Sequence, residues 1–258
     1  MSMSSYEHLA WEVEGTVATV FLDRPPVNAV TQEMYREIRA LFADVTQMGE
    51  GLRVVVLAGR HRHFSAGNDL DAFRGMDAEN ARVRMFHVRE AFWSIYACEV
   101  PVIAAVHGAA LGTGLALAAS CDFVIASEDA IFGVPEISVG VMGAARHLSR
   151  LVPQGVARAM YYTADPLPAA ELQRLGGVLE VVEADELLPT AHRYAQRMAR
   201  HSPTMLRTAK HAFTTIEDMN LRHGYEYEQG LTGSLADHPD RAEALAAIAD
   251  EREPEYGS

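Results

Sequence analysis

The stretch VPVIAAVHGAALGTGLALAASC, Val100 to Cys121, contains no Asp, Glu, Lys or Arg and is long enough to cross a bilayer as a helix. A spanning helix needs unbroken backbone pairing, yet Pro101 stands at its start and Gly108, Gly112 and Gly114 interrupt its middle. Its flanks, Glu99 and Asp122, carry no positive charge. The stretch therefore reads as a buried unit: a strand over Val102–Val106, a glycine turn, and a short apolar helix over Thr113–Ser120. Such a junction leaves unpaired amide N–H groups at the helix start, where negative charge is favoured.

What is missing narrows the choice of anion. GAALGTG lacks the Gly-Lys-Ser/Thr ending of a phosphate loop, and Gly112-Thr113-Gly114-Leu115-Ala116-Leu117 fails the dinucleotide fingerprint at its last position. The remaining option is a carbonyl oxygen that becomes negative during a reaction and is held by backbone donors, usually two. A second donor has a candidate in RHRHFSAGNDLDAF, Arg60 to Phe73, a loop that follows the apolar run Val54–Ala58.

Strand-like and helix-like segments alternate through the first two-thirds of the chain, an α/β pattern. Leu9–Val13 and Thr16–Leu22 read as a hairpin joined at Glu14-Gly15. Thr31 caps a predicted helix whose apolar residues Met34, Ile38, Leu41, Phe42 and Val45 recur at helical spacing up to about Gly49. Val54–Ala58, continuously apolar, reads as a strand covered on both faces. Asp77 starts another helix carrying Phe86, Phe92, Ile95 and Tyr96, and Phe123–Ala126 is again strand-like. From about Pro153 the pattern becomes mainly helical: Pro168–Leu175, Asp185–Ala199, Ser202–Met219 and Pro239–Glu251, with Val178–Val182 as a strand. Arg200-His201-Ser202-Pro203 joins a helix end to a new N-cap. It divides the chain into a core over 1–200 and a helical region over 201–258, expected to serve as a lid or in oligomerisation.

At 258 residues and 49% apolar, the chain can bury a large core. Its formal charge of −13 argues against nucleic acid or an anionic membrane as partner. Cys98 and Cys121, the only two cysteines, supply neither a disulfide framework nor four metal ligands, and are expected as buried free thiols. MSMSS has no secretory character, so a cytoplasmic location is expected.

DRPPVNAV (Asp23–Val30), HFSAGNDL (His63–Leu70), PVIAAVHGAALGTGLALAASCD (Pro101–Asp122) and FGVPEISVG (Phe132–Gly140) together resemble the enoyl-CoA hydratase/isomerase, or crotonase, superfamily in order and spacing. QRLGGVLEVVEADEL (Gln173–Leu187) looks like that family's stretch before its C-terminal helices. The resemblance implies an α/β spiral of repeated ββα units with a helical C-terminal region, assembled as a homotrimer or a dimer of trimers. It implies an acyl-CoA thioester as substrate, with coenzyme A part of the substrate and no separate cofactor or metal. By motif position, the amides of Asn68 and Thr113 would hold the thioester oxygen. The acyl-CoA site would be lined by Arg24 and Val27, by Ala66, Gly67, Asp69 and Leu70, and by Gly112 and Gly114. Loss of one well-aimed donor to an enolate oxygen costs about 3 kcal/mol of barrier.

The family's hydratases carry one Glu two residues after the glycine triplet and another in the Pro-Glu motif. This chain has Ala116 at the first position and Glu136 at the second. Two carboxylates let an enzyme activate water and protonate carbon. One suffices to move a proton between carbons, as in the family's isomerases. The resemblance thus implies enolate chemistry with Glu136 as the single acid/base. The outcome is isomerisation, or hydration with a polar residue elsewhere orienting the water, Arg146 and His147 being the nearest in sequence. A hydrolase, decarboxylase or lyase, or an inactive homologue that binds acyl-CoA or RNA, is the alternative, and the acidic charge speaks against RNA.

Plainer readings stand beside these. His61-x-His63 has the look of a metal pair but lies in an ordinary loop and reads as exposed. Arg24, Arg60 and Arg62 are surface charge or partners of ligand phosphates. Met76, Met85 and Phe86 read as core or acyl-pocket lining.

Overall fold

The computed structural model describes residues 6–256 except 70, 72–74, 76 and 78. Strands β1 (Leu9–Glu14), β2 (Val17–Leu22), β3 (Val54–Gly59), β4 (Val102–Val106), β6 (Phe123–Ser127) and β9 (Glu180–Val182) form one sheet in the order β1-β2-β3-β4-β6-β9. Only the opening hairpin β1·β2 is antiparallel, and the other pairs are parallel. A second, smaller sheet joins β5 (Ala109–Leu111), β7 (Ile131–Gly133) and β8 (Leu167–Pro168). Isolated bridges Val30↔Asn68 and Ser65↔Ala110 prolong that ladder. The chain thus repeats one step: a strand in the large sheet, a short paired segment crossing into the small one, then a helix. This is the expected ββα spiral.

Parallel strands buried on both faces explain the continuous apolar runs. Val54, Val56 and Ala58, with Ile103, Ala105 and Ile125, pack beneath the helix Leu187–Ala199 through Leu187, Ala191 and Ala195. Val55, Leu57, Val102, Ala104 and Val106 point the other way, into the main core with Met34, Ile38, Leu41, Phe42, Ile95, Leu115 and Leu117. Thr31 caps the helix Gln32–Ala43, its hydroxyl taking the Met34 N–H at 3.2 Å. Cys98 and Cys121 are buried free thiols, and burial pushes the Cys98 thiol up to about 11.

Several expectations need correction. The glycine turn holds a strand, Ala109–Leu111, whose pairing with Ile131–Gly133 is non-local and so leaves no periodic trace. Asp77 does not begin its helix: its carboxylate accepts from Glu79 and Asn80 in a turn, and the helix spans Ala81–Tyr96. Helices Ala145–Leu151 and Gln154–Thr163 were not expected. Ser202–Met219 is shorter than read, Pro203–Ile216, and is followed by Leu221–Ser234. The sequence of that last helix, LRHGYEYEQGLTGS, includes three glycines that weaken helix propensity. Among the described residues, no helix is long and apolar enough to cross a membrane.

Lys210 ties the C-terminal helices to the sheet. Its side chain is 3% exposed, and Nζ lies 2.8 and 2.9 Å from the two carboxylate oxygens of Asp122. Asp122 also accepts the Val102 N–H that starts β4, at 2.7 Å. Lys210→Ala leaves a partly buried carboxylate without its cation and is expected to lower unfolding free energy by about 2 kcal/mol, measured by urea titration.

Candidate active site

Ser65 stitches two loops together. Its N–H donates to Ala109 O at 3.0 Å and its O accepts the Leu111 N–H at 3.1 Å, while its hydroxyl donates to Asn28 O at 2.7 Å. The loop carrying Gly67 and Asn68 therefore lies along β5, which feeds Gly112 and Thr113. On its other edge, Val30 N–H donates to Gly67 O and Asp69 N–H to Val30 O. The intervening Asn68 N–H is thereby turned away from Val30. Thr113 opens the helix Thr113–Ser120, so its N–H has no partner within that helix. Among the described residues, neither amide meets an acceptor. Asn68, Thr113, Ala116 and Glu136 line one cavity of about 250 Å³.

Two glycines are required sterically. Gly112 sits at φ +52, and a Cβ there would lie 2.8 Å from Glu136 Oε1. A Cβ on Gly114 would lie 2.3 Å from the Ser65 carbonyl oxygen, so the helix approaches the donor loop as closely as only glycine allows.

Glu136 stands in the short helix Pro135–Val139, 8% exposed, and its buried Oε2 has no hydrogen-bond partner. Burial raises its pKa, partly offset by its own backbone N–H. The adjacent start of the helix Thr113–Ser120 also favours its charged form.

Three contributors escaped the sequence reading. Tyr35, wholly buried, donates its hydroxyl hydrogen to Asn68 Oδ1 at 2.6 Å and meets Thr113 Oγ1 at 2.7 Å. With its one hydrogen given to Asn68, it accepts from Thr113 and so bridges the two loops. Desolvation pushes its phenol well above the ordinary value. A hydroxyl-bearing aromatic beside the apolar stripe of the helix Gln32–Ala43 was the available signal. Asn28, also buried, donates to the carbonyls of Arg60, His63 and Phe64 and accepts the Arg24 N–H, holding the loop in shape. Gln32 lines the Glu136 cavity with a buried, unpartnered Oε1, and nothing in its sequence context marks it.

The other expected residues lie around this centre. Gly67 and Gly112 belong to the two loops just described, and Gly114 to the first turn of the helix Thr113–Ser120. Arg24 and Asp69 pair at 2.8 Å on the outer edge, with Arg24 also donating to Ala29 O at 3.0 Å. Val27 and Ala66 are joined there by Ala66 N–H to Val27 O at 3.0 Å. Leu70 and Met76 fall outside the described residues. Arg60 and His61 both pair with Asp23, while His63 Nδ1 accepts the Ala109 N–H. The His-x-His loop is thus held by structural bonds, and among the described residues no group of three His, Cys, Asp or Glu could hold a metal. Met85 lines the cavity. Phe86 belongs to neither core nor cavity lining: it is 39% exposed, between the guanidinium groups of Arg39 and Arg89. Arg146 and His147 line a neighbouring hollow rather than the Glu136 cavity.

A family model described as enoyl-CoA hydratase/isomerase matches residues 12–258. The chain is similar to a (7aS)-7a-methyl-1,5-dioxo-2,3,5,6,7,7a-hexahydro-1H-indene-carboxyl-CoA hydrolase of Rhodococcus jostii, 36% identical over 93% of this chain and 90% of that one. It is likewise 36% identical to a probable enoyl-CoA hydratase of Rhizobium meliloti, over 98% of each chain. Among solved structures, that of Pseudomonas aeruginosa DspI superposes with a TM-score of 0.93 at 28% identity, covering 99% of both chains.

Proposed function

The chain belongs to the enoyl-CoA hydratase/isomerase family, and from that premise we propose an acyl-CoA enzyme that works through a thioester enolate with Glu136 as its single acid/base. The observation that carries this reading is the unpartnered Oε2 of Glu136, buried in the same cavity as two residues whose amides lack acceptors. A thioester oxygen placed between the Asn68 and Thr113 N–H groups gains two donors as it becomes negative. Glu136 then takes a proton from carbon and returns it to a different carbon, which shifts the double bond with no atom gained or lost. The helical region from about residue 201 as a lid or assembly element, and a trimer or dimer of trimers, belong to the same reading.

Hydration is the second reading, and Gln32 is the observation that favours it. Its Oε1 and Glu136 Oε2 are both buried and unpartnered, and the two residues line the same cavity. A water between them donates a hydrogen to each. Its oxygen adds to the β-carbon while Glu136 receives its proton and delivers it to the α-carbon.

A panel of enoyl-CoA thioesters in D₂O, followed by mass spectrometry, tests the proposal. Isomerisation leaves the product mass unchanged apart from deuterium gained at carbon, hydration adds one water, and hydrolysis releases free coenzyme A. Absence of all three outcomes across the panel, a moved double bond read by NMR, deuterium at carbon and water addition, would refute the enolate reading. Tyr35→Phe should lower kcat about ten-fold with KM changed less than two-fold. Misplacing two donors by a fraction of an ångström affects the transition state more than substrate binding, and steady-state kinetics separates the two.

A further inference from the structure

The cavity of about 250 Å³ at Glu136 has room for a thioester and the carbons next to it, and is smaller than the usual drug-sized site. Beside it lies a hollow of about 910 Å³, near the upper end of that range. Met85, Val88, Phe92, Met142, Gly143 and Ala144 line both. Met85 and Met142 are exposed, with long unbranched side chains that move aside readily.

The hollow's wall is aromatic on one side, from Phe92, Trp93 and Tyr96, and is bordered by the helix Pro203–Ile216 through Thr214 and His211. The charges at its far end are matched among themselves. Arg146 pairs with Glu217 and Asp218, Arg150 pairs with Glu217 and lies over the Tyr96 ring, and Tyr96 donates to Glu217. An anionic ligand finds no spare cation in that network. His147 differs: its ring packs edge-on against Phe92 at 4.8 Å, and among the described residues its nitrogens have no hydrogen-bond partner. Burial and the two neighbouring arginines pull its pKa down to about 4. It is therefore a neutral imidazole at neutral pH, one nitrogen a donor and the other an acceptor.

We infer that this hollow receives the distal part of the acyl group, and that the substrates are coenzyme A thioesters of bulky, ring-bearing acids with a ring oxygen that hydrogen-bonds His147. A short aliphatic acyl group would leave the aromatic wall in water and His147 without a partner. A fused two-ring ketone covers the wall and supplies an acceptor, with no charge to be desolvated. The inference rests on the acyl-CoA reading of the Glu136 site, but the size of the acyl group is set by the hollow and can be tested without turnover.

The affinity of the full-length protein for three thioesters, measured by calorimetry, provides that test: crotonyl-CoA, a fused two-ring acyl-CoA, and the same compound with a ring ketone. The two-ring thioesters are expected to bind at least ten-fold more tightly than crotonyl-CoA, and the ketone about ten-fold more tightly than its deoxy analogue. Thr215→Trp, which narrows the hollow from the helix Pro203–Ile216, should cut the two-ring to crotonyl ratio at least ten-fold. His147→Leu should abolish the ketone preference alone. Equal affinity for all three, or ratios untouched by both variants, would overturn the inference whatever the reaction proves to be. Selective binding without double-bond movement, deuterium exchange or water addition would instead refute the enolate chemistry and leave the substrate class standing.

Discussion

Glu136→Gln is expected to lower kcat by about a thousand-fold, within the range that a positioned acid/base contributes, while the affinity for coenzyme A thioesters changes little. Gln keeps the volume of Glu but cannot carry a proton between two carbons. The environment of Glu136 makes the result specific, because its carboxylate is buried with one oxygen unpartnered and the remainder of the cavity would be unaltered. Wild-type activity should also report the elevated pKa. The base must be ionised to accept a proton, so turnover should rise with pH through a value above the ordinary glutamate range, because burial penalises the charge.

Stability runs the opposite way. A folded-state pKa above the unfolded one means that this group's contribution is fully present below the unfolded pKa and is lost as pH rises through the folded pKa. Glu136→Gln should accordingly be more stable than the wild type at neutral pH, though not at acid pH. Thermal unfolding at two pH values checks that crossing, and kinetics alongside it separates lost chemistry from lost fold. Retention of more than a tenth of wild-type turnover would remove Glu136 from the mechanism.

Gly114→Ala should damage both fold and catalysis. The added methyl would lie 2.3 Å from the Ser65 carbonyl oxygen and 2.9 Å from the Ser65 Cβ, and backbone cannot swing away as a side chain can. Ser65 is bonded to Ala109, Leu111 and Asn28, so relief must come from moving the whole donor loop off the helix Thr113–Ser120. Overpacking of this kind costs about 3 kcal/mol, and a displacement near 1 Å between the two amides costs about a hundred-fold in rate. Urea titration reads the first and single-turnover kinetics the second. Near-wild-type values in both would mean that the two loops do not need this separation.

The helices and strands of the large sheet were legible because local physics specifies them. Val54, Val55 and Val56 cannot leave water without cover on both faces, and Thr31 supplies its helix with an acceptor whatever the distant chain does. The motif positions marked Asn68, Thr113 and Glu136, and the structure gathers all three around one cavity. Illegible were the pairings closed over long separations. Ala109–Leu111 is a strand only because Ile131–Gly133 lies beside it, and Asp77 lost its helix to a turn stabilised by its own carboxylate.

Composition, hydrophobic pattern and glycine spacing by themselves determined a buried α/β core and a strand-turn-helix junction whose first amides are left free, while Glu136 was marked only by the family resemblance. Only the tertiary structure decided that Tyr35 joins the two loops, that Gln32 lines the Glu136 cavity, and that His147 lines a second hollow. The reason is physical: hydrophobic periodicity records which face of an element is buried. The few ångströms between residues 35, 68 and 113 depend on how far three separately specified elements approach, which packing fixes once all are in place.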